Sequence, residues 1–463
     1  MAVKIMALKP PRARLMQLSG WGNVPRQAAN VYRPEKTPEV SAIVAHAKLP
    51  AVIARGLGRS YGDAALNEDG GVILGTRLSR FISFDPATGM LEAEAGVSLA
   101  DFLDVFVPRG FFPPVTPGTK YVTVGGMIAA DVHGKNHHCD GSIAEFVDGF
   151  DLLLASGEVL TCSREKNADA FWATLGGMGL TGIIMQARLR LRKIESAYIA
   201  VDYQKAPNLD AALEAFSGDA KYQYSVAWID CLASGPSLGR SVLIRGNHAP
   251  AGELPAAAKR NPLVMPPKRK KSVPFNFPGF ALSPLTVRMF NHHFYNKHRN
   301  VRKYVDYDEF FYPLDSVLHW NRIYGKRGFF QFQAVFPPAD NSKCLRELLE
   351  KLSSSGRASF LAVLKPMGKS SGGMLSFPRE GQTLALDIPN AGHDTVAFMR
   401  QLDEIVLKHG GRVYLAKDAC MTPQTFRQMY PDVEKFNQVK MKLDPEKRFS
   451  SSQSRRLGIG ETP

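Results

Sequence analysis

Residues 117–138 read PGTKYVTVGGMIAADVHGKNHH. Pro117-Gly118-Thr119 makes a tight turn, and Gly125-Gly126 allow close backbone approach at the start of a helix whose N-terminus attracts anions. The apolar stretch then gives way to Gly134 and to three histidines, His133, His137 and His138. His133 and His137 have the i, i+4 spacing of a helical metal pair. No acidic partner recurs as it does in H-E-x-x-H, however, and Gly134 opposes a continuous helix. Stacking, hydrogen bonding or contact with an anion suits these side chains better, so no metal is expected.

Upstream, residues 54–63 read ARGLGRSYGD and follow the strand-like AVIARG. The glycines Gly56, Gly58 and Gly62 miss the G-x-G-x-x-G spacing by one, and no helix with a distal acidic residue follows, which disfavours a Rossmann nicotinamide site. A loop whose N–H groups can cradle a pyrophosphate remains, with Arg55 and Arg59 adding charge. One such turn is ordinarily structural. Two of them about sixty residues apart in one unit are hard to explain as turns alone. A third glycine-rich stretch, FWATLGGMGLTGII at 171–184, again lies beside a strand pattern, and VYLAKDA puts Lys417 at the end of a strand next to Asp418. By itself that lysine reads as solvated surface.

Strands and helices that alternate without regular crossovers make residues 1–195 a mixed α+β unit. Residues 196–412 carry seven strand patterns of one large, mainly antiparallel sheet, with two amphipathic helices, NSKCLRELLEKLSSSG and DTVAFMRQLDEIVLKHGG, covering one face. Within it, residues 249–304 form a Pro-rich, basic insertion expected to be irregular and mobile. Residues 413–463 are a C-terminal segment. The predicted class is therefore α+β, in two parts.

Composition narrows the function. The 463 residues are 44% hydrophobic and 22% charged, as in a soluble globular protein, and contain no uninterrupted apolar run of membrane-spanning length. The first eighteen residues lack the core of a secretory signal, so the cytoplasm is the expected compartment. Five scattered cysteines without C-x-x-C fit neither a disulfide framework nor a zinc ribbon. A net charge of +15 calls for an anionic partner. Nucleic acid is not that partner, because no helix-turn-helix, zinc-finger or RNP pattern accompanies the charge and no aromatic residues interleave with it.

Taken together, RGLGRSYGD, PGTKYVTVGGMIAADVHGKNHH, FWATLGGMGLTGIIM, GFFQFQ, LSFP, YLAKDA and MYPDVEKF resemble, in order, the FAD-binding oxidoreductases of the vanillyl-alcohol-oxidase or PCMH type. Within them the chain resembles the decaprenylphosphoryl-β-D-ribose 2′-oxidase family, with VGGMIAADVHGKNHH as its most specific segment. The resemblance implies a two-part FAD-binding domain, a substrate domain, and oxidation of a polyprenylphosphoryl-ribose 2′-hydroxyl to a ketone. That ketone is the intermediate on the way to an arabinose donor for the cell envelope, and a separate short-chain NAD(P)-dependent keto-reductase would complete the epimerisation. A soluble alditol or aldonolactone oxidase of the same superfamily is the alternative.

The resemblance also assigns residues. Arg55, Gly56, Gly58, Arg59, Ser60, Tyr61 and Gly62 would form the first FAD loop. Arg59 stands where covalent members carry their flavin-bonding histidine, which implies non-covalent FAD. Gly118, Thr119, Thr123, Gly125, Gly126, Ala129, His133, Gly134 and Asn136 would line the flavin and pyrophosphate. Gly179 and Gly182 would also contact the cofactor, Ile184 would close over the adenine side, and Tyr414 would return to the ring. Lys417 would be the principal catalytic side chain, either as base for the hydroxyl proton or as cation beside the reduced flavin, with Tyr61 and His133 in support. Gln333, Lys365, Thr383 and Ala385 would face the substrate. The family's mycobacterial members carry cysteine at the position of Ala385 and asparagine at that of Thr383, so a thiol is not implied in turnover here. The run Lys268 to Lys271 with Phe275, Phe277 and Phe280 would suit a peripheral contact with an anionic membrane, or else a solvated loop.

Overall fold

The computed structural model describes residues 10–46, 48–266, 268–357 and 360–461. Three sheets organise the chain, and the α+β class expected from the sequence is the one observed.

The first sheet has four strands. Val52–Arg55 and Gly71–Leu74 run parallel, Arg26–Tyr32 runs parallel to Gly71–Leu74, and Arg14–Ser19 is antiparallel to Arg26–Tyr32. Parallel strands are covered on both faces, and the run Val52, Ile53, Val72, Ile73 is accordingly almost solvent-free. Val52–Arg55 therefore ends abruptly where the apolar run gives way to the loop at Gly56. The second sheet is antiparallel, with spatial order Phe81–Asp85, Met90–Glu94, Ile183–Arg190, Val147–Leu153, Val159–Ser163. Helix Leu99–Phe106 begins at a reciprocal cap, Ser98 with Asp101, and buries Leu99, Phe102, Leu103 and Phe106. Helix Val124–Ala129 is capped by Thr123. The glycine loops lie where these two sheets face each other.

The third sheet has eight strands, all antiparallel, in the order Val301–Asp306, Tyr198–Ala206, Ser241–His248, Tyr224–Ile229, Ala362–Met367, Gly381–Pro389, Phe329–Phe336, Arg412–Val413. Helices Asn341–Ser355 and His393–Lys408 cover one face, as their amphipathic patterns predict. The other face turns toward the glycine loops. Alternation along Phe329–Phe336 therefore sends Gln331 and Gln333 to the loop side and Phe330 and Phe332 into the opposite core.

Two local expectations change. The strand carrying VYLAKDA stops at Val413, and Lys417 lies in the turn that follows. The segment 249–304, expected to be irregular, contains the fourteen-residue helix Pro284–Lys297 and the edge strand Val301–Asp306. Ser283 caps that helix and Pro284 occupies its first turn, a start signal hidden among the preceding prolines. The side chain of Phe280 lies outside the described residues. Among the described residues, no helix is long and apolar enough to cross a membrane.

After Val413 the chain returns to the first sheet. Val52 donates to Arg448 O (2.8 Å) and Ser450 donates to Val52 O (3.1 Å), which extends the sheet edge beside Val52–Arg55. Arg456 reaches Asp63 (2.7 and 2.9 Å) and Asp418 (2.8 Å), tying helix Ser452–Leu457 both to the first glycine loop and to the turn that carries Lys417.

Candidate active site

A cavity of about 750 Å³ runs between the glycine loops and the open face of the eight-stranded sheet. Its loop end is built mainly from backbone. The N–H groups of Leu57, Gly58, Arg59 and Ser60 donate to no protein acceptor among the described residues. Such a run of free donors beside helix Val124–Ala129 is an anion cradle. The two loops interlock tightly, since a Cβ on Gly56 would run into the Thr123 hydroxyl that caps this helix. Arg59 stacks over Trp21, with its guanidinium carbon 3.8 Å from the ring centroid, and its Nε has no partner. The residues present thus fit a flavin dinucleotide: free backbone donors for the pyrophosphate, an unpaired guanidinium nitrogen, and apolar walls for the two ring systems. The structure brings to this cavity the expected Arg55, Gly56, Gly58, Arg59, Ser60, Tyr61, Gly118, Thr119, Thr123, Gly125, Gly126, Ala129, His133, Gly134, Gly179, Gly182, Ile184 and Tyr414.

The sheet end carries the titratable groups. Lys417, Lys365, Gln333 and Ala385 all line the cavity, as does Gln331. The turn holding Lys417 is fixed on both sides: Tyr61 N–H donates to Ala416 O (2.9 Å), Lys417 N–H donates to Tyr414 O (2.9 Å), and Asp418 accepts from the N–H groups of Cys420 and Met421. Its ammonium sits 4.1 Å from the centroid of the Tyr61 ring. Desolvation pushes Lys417 down to about 7, with Asp387 opposing and Lys365 reinforcing the shift. Lys365 falls to about 8 for the same reason. Desolvation raises Asp387 to about 7 against hydrogen bonds from Gln331 (2.7 Å) and Tyr324 (2.9 Å).

His133 packs against the stacked rings of Phe377 and Tyr414, and its Nε2 accepts from the Gln333 amide at 2.9 Å. That assigns the ring proton to Nδ1, which has no protein acceptor. Desolvation, reinforced by Lys365, holds the imidazole well below its ordinary pKa, so it is neutral. His137 and His138 turn elsewhere, to Gly368 N and Tyr222 O. Among the described residues, no group of three or more His, Cys, Asp and Glu side chains is placed to hold a metal ion.

Three expected site residues stand outside the cavity. Asn136 is fully buried and bonds Pro114 O and Asp140, so it shapes the loop from behind. Gly62 packs on Asp418, whose carbonyl a Cβ would strike. Thr383 faces the back of Gln333 (3.3 Å) and donates to Ala334 O, so it orients the amide and does not line the cavity. Two others line the cavity but have their polar groups engaged: Arg55 donates to Ser19 O and Ala65 O, and the Thr119 hydroxyl donates to Asp315. The sequence reading missed Lys135, whose ammonium donates to Phe310 O and which desolvation lowers to about 7, and also Asp315, Gln331 and Trp21. Lys135 was visible inside HGKNHH, whereas the others are remote in sequence and carry no motif.

Known proteins match this architecture. The FAD binding domain family matches residues 28–163, and the D-arabinono-1,4-lactone oxidase family matches residues 375–457. Decaprenylphosphoryl-β-D-ribose oxidase of Mycolicibacterium smegmatis is 38% identical over 453 residues, spanning 96% of this chain and 97% of that protein. D-arabinono-1,4-lactone oxidase of Yarrowia lipolytica is 29% identical over 34% of this chain and 31% of its own. Cytokinin dehydrogenase 2 of Arabidopsis thaliana is 30% identical over 34% of this chain and 32% of its own. The fold and the glycine-loop cavity thus define an FAD-dependent oxidoreductase with a PCMH-type flavin domain. The match along nearly the whole length of both proteins is narrower, and the chain belongs to the decaprenylphosphoryl-β-D-ribose oxidase family.

Proposed function

We propose that this enzyme oxidises the 2′-hydroxyl of a polyprenylphosphoryl-β-D-ribose to the 2′-ketone, which a separate NAD(P)-dependent keto-reductase then reduces to the arabinose epimer. The observation that carries this reading is the delivery of a desolvated lysine, Lys417, to the cavity that also holds the anion cradle, with Lys365 and Gln333 on the adjoining wall. Residues 1–195 and 413–463 hold the flavin, and residues 196–412 hold the substrate. FAD, when bound, supplies the hydride acceptor.

The chain supplies the rest. Leu57 to Ser60 bind the pyrophosphate through backbone N–H groups. Arg59, a charged and therefore non-nucleophilic guanidinium, stands where a flavin-bonding imidazole would be needed, so the cofactor is held without a covalent link. Lys417, neutral above about pH 7, takes the hydroxyl proton. Tyr61 holds Lys417 by its ring face, and the Nδ1–H of His133 donates to a sugar oxygen. Gln333 fixes that histidine's tautomer, while Lys365, the most basic of the buried lysines lining the cavity, offsets the phosphate charge. The basic, apolar-tipped segment 249–304 rests on an anionic membrane that presents the lipid.

Anaerobic addition of a polyprenylphosphoryl ribose should bleach the flavin and yield a product lighter by two hydrogens, and acid precipitation should release the flavin from the polypeptide. An unchanged spectrum with that lipid would sink the substrate assignment. The match of residues 375–457 to the D-arabinono-1,4-lactone oxidase family favours a second reading, a soluble sugar lactone or alditol as substrate. Bleaching by such a compound, and not by the lipid, would select it.

A further inference from the structure

We propose that the far end of the cavity is a channel for the isoprenoid chain of the substrate, walled by Val226, Trp228 and Ile244 and roofed by Phe290 and Phe294. The inference rests on the glycosyl-phosphate reading above and extends it past the phosphate.

Sheet register carries the argument. Gln333 is opposite Ala385, Ala385 is opposite Val363, and Val363 is opposite Trp228, so one row of cavity-facing side chains crosses four strands. Two residues along, Val226 is opposite Ile244 and Ile244 is opposite Tyr203, which carries the same face across two further strands. At roughly 4.8 Å per strand, Trp228 lies about 14 Å from the Gln333 strand, beyond the reach of a pentose held there. The chemistry changes along this row. Gln333 and Lys365 mark the polar end, and past Val363 the floor is apolar as far as Tyr203.

Helix Pro284–Lys297 closes the channel from above. Phe294 packs at a tilt against Trp228 (4.6 Å between centroids), and Phe290 neighbours Phe294 (5.9 Å). The indole N–H of Trp228 is already given to Phe360 O (3.0 Å), leaving no donor for a polar ligand. Phe290 is 43% exposed, so the channel opens at the helix surface, where Leu285 and Met289 continue the apolar path outside. A free sugar has no use for this extension, whereas a flexible, unsaturated hydrocarbon linked through phosphate to a pentose would fill it.

The test uses flavin-loaded protein and farnesyl phosphate, an isoprenoid phosphate without a sugar, with binding read by tryptophan fluorescence and compared with inorganic phosphate. Farnesyl phosphate should bind at least about tenfold more tightly than phosphate. Ile244→Trp, which fills the channel, should erase that preference, and Phe290→Ser, which opens the roof at an exposed position, should reduce it, with the flavin spectrum reporting intact folding in both. An unaltered preference in both variants, or no preference in the parent, overturns the channel. Farnesyl phosphate preference that Ile244→Trp erases, combined with a flavin that no polyprenylphosphoryl ribose bleaches, would keep the channel and remove the proposed substrate. The reverse pattern would do the opposite.

Discussion

Lys417 combines a fixed backbone with an adjustable charge. Its turn is held by Tyr61, Tyr414 and Asp418, which fixes the point from which the side chain springs, and desolvation leaves its pKa at about 7. Raising the pH through that value increases the neutral fraction, and the anaerobic rate of flavin reduction should climb and then level off. Lys417→Ala should cut that rate about 10²- to 10⁴-fold in stopped-flow traces while the bound flavin spectrum persists. Lys417→Arg, which stays charged, should be slow and lose the rise with pH. Much of this site was legible as sequence, because backbone cradles need glycine and glycine is visible. Direction was not legible. Asn136 sits one residue from a cavity-lining position, yet a tight turn sends its side chain back to Asp140, and Thr383 shares the sheet face of Ala385 and Lys365, yet its hydroxyl donates to Ala334 O and accepts from Gln333. Gln331 and Asp387 carry no motif, and only the pairing of their strands brings them together.

Helix Ser452–Leu457 shows what a short element can hold in place. Arg456 is shared by Asp63, just after the first glycine loop, and by Asp418, just after Lys417, and both carboxylates are nearly solvent-free. Removing the guanidinium would leave two buried carboxylates without the cation that neutralises them. Arg456→Ala should therefore lose about 3–5 kcal/mol in denaturant unfolding. It should also weaken flavin retention on gel filtration, whereas a substitution at the exposed Lys442 should do neither. Elements of this kind are read from sequence only in part. The periodic helices Asn341–Ser355 and His393–Lys408 appear where their apolar spacing puts them. The strand before Lys417 ends four residues early, because Tyr414 makes the last bond to the neighbouring strand, to Gln333 O (2.9 Å), and its own carbonyl then accepts from the N–H groups of Lys417 and Asp418 in a turn.

At the scale of the molecule, the +15 charge and the helix Pro284–Lys297 act together. Leu285 and Met289 are 67% and 64% exposed, and Arg288, His292, His293 and Lys297 on the same helix are also exposed. The neighbouring basic run is partly engaged within the protein, since Lys268 pairs with Asp306 and Lys270 with the Tyr121 hydroxyl. Sedimentation with phosphatidylglycerol vesicles should exceed that with phosphatidylcholine, decline as salt rises from about 0.1 to about 0.5 M, and fall on Leu285→Glu with Met289→Glu. Equal sedimentation with both lipids would argue against the contact. The strip of chain from Arg448 to Ser450 has a consequence of a different kind. By pairing with Val52 it covers the open edge of a short, apolar parallel sheet that could otherwise template pairing with another chain. Loosening that strip would bare the edge to other copies of the chain, so recovery after heating would be governed by self-association and not by refolding.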